Sequence, residues 1–166
     1  MGILLKLYKM AHRNTPDEEI PYWWKYSLWT VLCKPIRKYF SAVVVPNIPY
    51  TTIRMWGYRL CGYKIGKGTF IGMKCYLDDM CYDRIEIGRN VTISYGVYFA
   101  CHGRKQGHNR IVIRDGAYIG MRTSLVARTD IEIGENAVIG ACTLVNKSIP
   151  AKTTAVGVPC RILEDK

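Results

Sequence analysis

A six-residue repeat runs from Ile65 to Val156 and constrains the fold of this chain more than any other feature. An aliphatic residue opens each unit and a glycine usually follows it, as in IGKGTF, IGMKCY, IGRNVT, IGMRTS and IGENAV. A short repeat of fixed length is typical of a solenoid, in which successive turns of the chain stack on one another. Hexads predict an all-β solenoid, a parallel β-helix of about four triangular coils with three hexads to a coil.

Two rows of side chains are predicted to point into the coils. Burial of each aliphatic residue in the first row is worth roughly 1.5 to 3 kcal/mol. The glycine after it suits a corner where φ is positive or where backbones crowd. The first row is Ile65, Ile71, Leu77, Ile87, Ile93, Ile113, Ile119, Leu125, Ile133, Ile139 and Val145, and the smaller second row is Thr69, Cys75, Cys81, Val91, Val97, Ala117, Thr123, Ala137 and Thr143.

Length and charge limit the classes of function. The 166 residues allow one modest domain with an appendage, and the formal net charge is +11. The chain carries no zinc-finger, helix-turn-helix or RNA-binding sheet motif, so nucleic acid is not an expected partner. The basic excess then favours an anionic membrane surface or a polyanionic ligand. The seven cysteines form no CxxC pair, which favours reduced core thiols in a cytosolic protein.

The pattern divides the chain into an N-terminal helical, aromatic and basic segment (1–62), the repeat array (63–156, with a loop at 100–110) and a tail (157–166). No signal peptide is expected at the start. Residues 20–50 mix tryptophan and tyrosine with lysine and arginine, and charge and proline interrupt them too often for a membrane span. They fit a helix at a membrane interface or a helical hairpin packed on the solenoid or on another subunit. Thr51–Tyr63 is predicted to be a helix that caps the first coil.

His102 is the strongest candidate for a catalytic residue. It begins the longest departure from the repeat, Ala100 to Arg110, and loops on a rigid scaffold often carry the chemistry. Histidine has an unperturbed pKa close to neutral, which suits a general base. The alternative is a surface histidine without a role. Three acids, Asp78, Asp79 and Asp83, are predicted to lie near one corner of the preceding coil.

The hexads, the loop CHG ahead of IVIRDGAYIG, and the closing GVPCRIL resemble the hexapeptide-repeat acyltransferases over residues 63–163, and in particular the galactoside, maltose and polysaccharide O-acetyltransferases. The resemblance implies a left-handed β-helix, a homotrimer with active sites between subunits, and acetyl-CoA as the acyl donor. It implies that His102 is the general base. His108 is the second candidate for that role and is also expected to lie in the acceptor site. It also implies an acid that binds the acceptor or orients the base, either Asp79 or Asp83.

The same resemblance places coenzyme A along the later coils. The matching positions are Met121, Ala141, Asn146, Lys147 and Arg161. Basic residues there have a physical reason, because the nucleotide phosphates need countercharge. Met121 departs from the smaller residue usual in the family and is expected to narrow the channel for the pantetheine arm.

These observations predict an acetyl-CoA-dependent O-acetyltransferase that acts on a sugar hydroxyl in surface polysaccharide synthesis. The expected location is cytoplasmic, with peripheral contact to the inner membrane through residues 20–50. Alternatives are a serine O-acetyltransferase and a non-catalytic β-helix scaffold. A zinc hydration enzyme needs three converging histidines, and His12 lies far from the array, so no metal is predicted. An acyl-cysteine at Cys101 is disfavoured because neighbours on an extended chain point to opposite sides.

Overall fold

The computed structural model describes residues 3–13, 16, 19–21, 24, 28–102 and 108–163. The chain forms two compact units, Met1–Tyr39 and Phe40–Lys166. The helix that follows residue 50 packs with the repeat array and belongs to the second unit, and the predicted domain boundary at residue 62 stays a prediction.

The first unit contains helices α1 (Ile3–Ala11) and α2 (Leu28–Tyr39). Neither helix buries a side chain among those that the structure describes, and Ile20 is the one buried residue described in this unit. No helix in the described parts of the chain is long and apolar enough to cross a membrane.

The second unit opens with a π-helical turn (Phe40–Val44), a 3-10 turn (Val45–Asn47) and helix α3 (Thr51–Leu60), and a further 3-10 turn (Tyr82–Arg84) follows the first coil. Thirteen short strands then build the solenoid. They are β1 (Lys64–Ile65), β2 (Phe70–Ile71), β3 (Ile85–Ile87), β4 (Thr92–Ile93), β5 (Tyr98–Ala100), β6 (Ile111–Ile113), β7 (Tyr118–Ile119), β8 (Ser124–Val126), β9 (Ile131–Ile133), β10 (Val138–Ile139), β11 (Leu144–Val145), β12 (Thr154–Val156) and β13 (Arg161–Leu163).

Three sheets form the walls of the solenoid. The first sheet has the order β1-β3-β6-β9, the second β2-β4-β7-β10-β12-β13 and the third β5-β8-β11. Every pair is parallel except β12 with β13, where the predicted tail turns back so that Ile162 lies opposite Ala155. The structure confirms the predicted left-handed parallel β-helix of about four coils, with a partial fifth turn that β13 closes.

The two predicted inward rows form the core. Every member is buried except Ile65, which lies in the outermost coil and is half-buried. Phe99 extends the first row beyond the predicted set, because it lies opposite Leu125 and is fully buried. Since each buried position stacks on its counterpart in the next coil, the backbone around the corners is held in place from inside.

The glycines after the aliphatic residues are required by crowding. A Cβ on Gly120 would lie 2.5 Å from the amide nitrogen of Ala141 in the next coil, closer than real Cβ contacts come. The positive φ angles occur later in the corners, as at Gly116 with φ 72° and Asn136 with φ 53°. The structure thus selects one of the two explanations that the sequence left open.

Helix α3 seals the first coil, which confirms the predicted cap. The side chain of Arg54 is buried beneath it and donates from Nε to the carbonyl of Ile71 at 2.8 Å and from Nη1 to that of Ile48 at 2.5 Å. Tyr58 donates its hydroxyl to the carbonyl of Cys75 at 3.2 Å. The bonds to Ile71 and Cys75 satisfy carbonyls of the first coil, and the bond to Ile48 holds the segment that leads into α3.

Candidate functional site

The candidate site lies at the corner that follows the third sheet. His102 is the second residue after β5, and the segment after Tyr76 lies one coil away because Tyr76 pairs with Tyr98. That pairing brings Asp78 alongside the backbone of Cys101 and the ring of His102. The side chains therefore meet through coil stacking, although they are 24 residues apart in the chain.

Asp78 and His102 form a close pair. The distance between His102 Nδ1 and Asp78 Oδ2 is 2.6 Å. The carboxylate is completely buried, whereas 38% of the His102 side chain is exposed. The same carboxylate accepts hydrogen bonds from the Cys101 amide at 2.8 Å and from the Met80 amide at 3.1 Å.

This arrangement fixes the proton positions on the imidazole. An ionised carboxylate can only accept hydrogen bonds, so the proton of His102 belongs on Nδ1. Nε2 then keeps a lone pair, which can take a proton from an acceptor at the exposed side of the ring. A buried carboxylate held by three donors cannot rotate freely, and it also stabilises the imidazolium once the ring is charged.

The two predicted acids lie apart from this pair. Asp79 accepts a hydrogen bond from the Tyr76 hydroxyl at 2.5 Å, and the Tyr76 ring stacks on Tyr98 with centroids 4.7 Å apart. Burial and this hydrogen bond raise the pKa of Tyr76, so the phenol stays protonated. Asp83 is exposed and lies 3.7 Å from the Arg84 guanidinium. Their roles toward an acceptor stay predictions, and the carboxylate that contacts His102 is Asp78.

His108 lies across the base of the loop from His102. The two residues form an antiparallel bridge, and the Asn109 amide donates to the Cys101 carbonyl at 2.9 Å. The loop between them, residues 103–107, falls outside the described residues. His108 Nδ1 is 3.3 Å from Cys81 Sγ. The structure thus brings both candidate histidines to one corner, and the carboxylate contact belongs to His102.

The two cysteines at this corner are thiols. Burial, followed by the charge of Asp78, raises the pKa of Cys81 to about 11. The same two causes raise the pKa of Cys101, which is completely buried. Cys101 therefore points into the core while His102 points outward, in agreement with the prediction that they do not act together as nucleophile and base.

One group of side chains here has the composition of a metal site. Ligand atoms of Asp78, Cys81 and His102 all lie within 4.8 Å of one another. Carboxylate, thiolate and imidazole are zinc ligands, and a bound ion would displace the Asp78–His102 hydrogen bond. A metal at this corner would therefore compete with the use of His102 as a base.

Four of the five predicted coenzyme A positions lie at the two corners that border the third sheet. Met121 and Ala141 follow second-sheet strands and occupy equivalent turns of adjacent coils, and the Cys142 amide donates to the Met121 carbonyl at 2.8 Å. Asn146 and Lys147 follow β11 at the corner that carries His102, two coils or about 10 Å along the axis. Arg161 begins β13. All are exposed except Asn146, which is half-buried.

Sequence reasoning did not single out Asp78 as the partner of His102, although the signal is present. Ile65 pairs with Ile87, and the first two coils are therefore offset by 22 residues. The same offset places Asp78 opposite Ala100, one residue before Cys101. The extra residues between Leu77 and Ile87 hid this alignment, because they could have been inserted on either side of the acids.

The fold and this corner define a class of protein, a left-handed β-helix with a histidine loop and a buried acid. No protein-family model matches the chain. Among characterised proteins, it is 36% identical over 110 residues to the bifunctional protein GlmU of Rubrobacter xylanophilus, covering 63% of this chain and 23% of GlmU. It is 35% identical over 104 residues to the serine acetyltransferase of Bacillus licheniformis, covering 61% of this chain and 45% of the enzyme.

A third relative matches over most of its length. YvoF of Bacillus subtilis, whose acetyltransferase activity is itself a proposal, is 28% identical over 149 residues, with 84% of this chain and 86% of YvoF covered. The chain therefore spans less than half the length of GlmU and of the serine acetyltransferase, but nearly all of YvoF.

Solved structures show the same fold. A hexapeptide-repeat acetyltransferase of Vibrio cholerae complexed with acetyl-CoA matches with a TM-score of 0.63 at 20% identity, covering 96% of this chain and 97% of that one. A maltose O-acetyltransferase of Clostridium difficile matches with 0.58 at 24%, covering 82% and 85%. Soybean serine acetyltransferase matches with 0.52 at 27%, covering 68% and 49%. These similarities confirm the predicted resemblance to hexapeptide-repeat acyltransferases.

Proposed function

We propose that this protein is an acetyl-CoA-dependent O-acetyltransferase in which His102 is the general base and Asp78 orients it. The observation that carries the proposal is the 2.6 Å contact between His102 Nδ1 and a completely buried carboxylate. The relatives named as acetyltransferases support the reaction class. Coenzyme A would occupy the positions that the resemblance implies, from Met121 to Arg161, in a homotrimer.

His102 performs the proton transfers. Its Nε2 takes the proton of the acceptor hydroxyl while the hydroxyl oxygen forms a bond to the thioester carbonyl carbon of the donor. The carbon–sulfur bond then breaks, and the departing thiolate receives the proton that Nε2 holds. Asp78 stabilises the imidazolium between these events and keeps the ring aimed. The products are the acetyl ester and free coenzyme A.

A sugar hydroxyl is the proposed acceptor. The position of the histidine loop after the second coil, ahead of the returning strand IVIRDG, resembles that of galactoside and maltose acetyltransferases. The maltose O-acetyltransferase of Clostridium difficile shares the fold over 85% of its length. A role in surface polysaccharide synthesis would follow from such an acceptor.

Serine is the second candidate acceptor. The 35% identity to a serine acetyltransferase favours it, and that similarity covers 61% of the present chain. The match spans 45% of that enzyme. A single assay can distinguish the two acceptors.

The test is acetyl-CoA turnover, followed as free thiol release, with a panel of sugars and with serine. His102→Ala should lower kcat by about 10² to 10⁴, the usual contribution of a general base. Coenzyme A binding, measured by calorimetry, should be unchanged in the variant. Unchanged turnover would exclude His102 and favour His108, and coenzyme A binding without turnover on any acceptor would favour a scaffold.

A further inference from the structure

Helix α2 carries a stripe of exposed apolar side chains. The stripe consists of five side chains that are 41 to 76% exposed, with Trp29 the most exposed. At 100° per residue, they lie within an arc of about 100° of the helix. We call Leu28, Trp29, Leu32, Ile36 and Tyr39 the α2 stripe.

The opposite arc of α2 is basic. Lys34 lies about 170° from the centre of the stripe, and Arg37 and Lys38 lie about 130° from it, one on each side of Lys34. Helix α1 adds Lys6 and Lys9, and neither helix contains an acidic residue. The two helices therefore combine an apolar surface with five positive charges.

A helix of this kind requires a partner for its stability. Isolated helices shorter than about 12 to 15 residues are marginal in water, and α2 has 12 residues. Packing among the described residues adds little to this stability, since no described side chain of α2 is buried and only Cys33, Arg37 and Lys38 are half-buried. Contiguous exposed apolar surface of this kind marks a site of interaction.

We propose that the α2 stripe inserts into the interface of an anionic lipid bilayer, with the helix lying parallel to the membrane surface. Tryptophan and tyrosine at the two ends of the stripe suit the headgroup depth, and leucine and isoleucine between them suit the acyl boundary. The positive charges complement anionic lipid, whereas the core of a protein interface is depleted in lysine. The proposal is independent of acetyl transfer, because it concerns binding alone.

The experiment is vesicle flotation of the full chain. Vesicles of phosphatidylcholine with phosphatidylglycerol should bind the protein, and vesicles of phosphatidylcholine alone should bind it several-fold more weakly. Raising the salt from about 0.1 M to about 0.5 M should weaken binding to the anionic vesicles, because salt screens the basic residues.

Two matched variants of α2 locate the contact. Ile36→Asn changes the stripe and should weaken binding to anionic vesicles about tenfold or more. Val31→Asn makes a similar change outside the stripe, on the side that carries the basic residues, and should alter binding by less than about twofold. Circular dichroism of both variants shows whether the chain is still folded.

Three results would overturn the proposal. The wild type fails to float with anionic vesicles, the two variants lose binding equally, or Ile36→Asn changes the oligomeric state in light scattering without changing vesicle binding. The last result would make the stripe a contact between subunits. None of these results depends on acetyltransferase activity, so the two proposals succeed or fail separately.

Discussion

The two units of this chain obtain their stability in opposite ways. In the second unit, three sheets stack aliphatic side chains in continuous inward rows, and even the buried Arg54 has carbonyl partners. In the first unit, two helices bury none of their described side chains, and only Ile20 is buried among the described residues. The repeat array thus specifies its own interior, whereas the helices present their apolar side chains outward. This difference shows that hydrophobic content alone does not indicate a core.

The largest expected effect concerns the candidate site at the His102 corner of the second unit. Asp78→Asn should lower kcat by about 10²-fold or more with little change in KM, because the amide can hold the wrong tautomer of His102. Glu135→Gln makes the same chemical change at an exposed corner and should leave turnover unchanged.

A double variant distinguishes positioning from a loss of folding. In the His102→Ala background, Asp78→Asn should have little further effect on turnover, because the two residues act as a unit. A full additional loss in the double variant would show that Asp78 acts through something other than His102.

A matched pair of substitutions tests the difference between the units directly. Ile119→Ala in the second unit should reduce the free energy of unfolding by about 2 to 5 kcal/mol, because a cavity is left in a fully packed row. Ile36→Ala in α2 should change it by less than about 0.5 kcal/mol, since that side chain is 69% exposed.

Denaturant titration with both proteins in lipid-free buffer gives the comparison. If Ile36→Ala destabilised the protein as much as Ile119→Ala, the first unit would be packed in solution. The two units would then not differ in whether they bury their own apolar side chains.

A rise in pH is expected to have a smaller effect on the free energy of unfolding. The pKa of Cys81 is raised from 9.0 to about 11, first by burial and then by Asp78. A raised pKa on a thiol favours the neutral form in the folded state, so its contribution to stability is complete below about pH 9. The contribution is then lost as the pH rises from about 9 to about 11, because the unfolded chain ionises first.

Denaturation at a series of alkaline pH values measures this effect. Cys81→Ala should flatten part of the decline, while Cys142→Ala, which removes an exposed cysteine, should leave the slope unchanged. Identical slopes for all three proteins would mean that the buried thiols do not control alkaline stability.

The β-helix could be predicted from the sequence because the six-residue period is local. Each aliphatic residue that opens a hexad marks a position whose side chain points inward. The sequence singled out His102 because the repeat stops there, and the catalytic role of that residue stays a prediction. It was insufficient for Asp78, since that contact depends on where the extra residues between Leu77 and Ile87 are accommodated. The position of α3 could be predicted because the first coil needs a cap. The burial of Arg54 as a hydrogen-bond donor could not be predicted, because a single buried arginine produces no periodic pattern in the sequence.

The last turn of the solenoid has a consequence for how these molecules coexist at high concentration. Strand β13 covers the outer edge of β12, the Cys160 amide donates to the Leu144 carbonyl of β11, and Ile149 pairs with β9. The outer edges of β9, β11 and β12 are therefore each hydrogen-bonded to the protein's own backbone, and β13 ends the second sheet in the antiparallel direction. An open edge would act as a template on which another chain could add, coil upon coil, into a fibre. The closing segment thus ends the solenoid, so that further coils do not add to it.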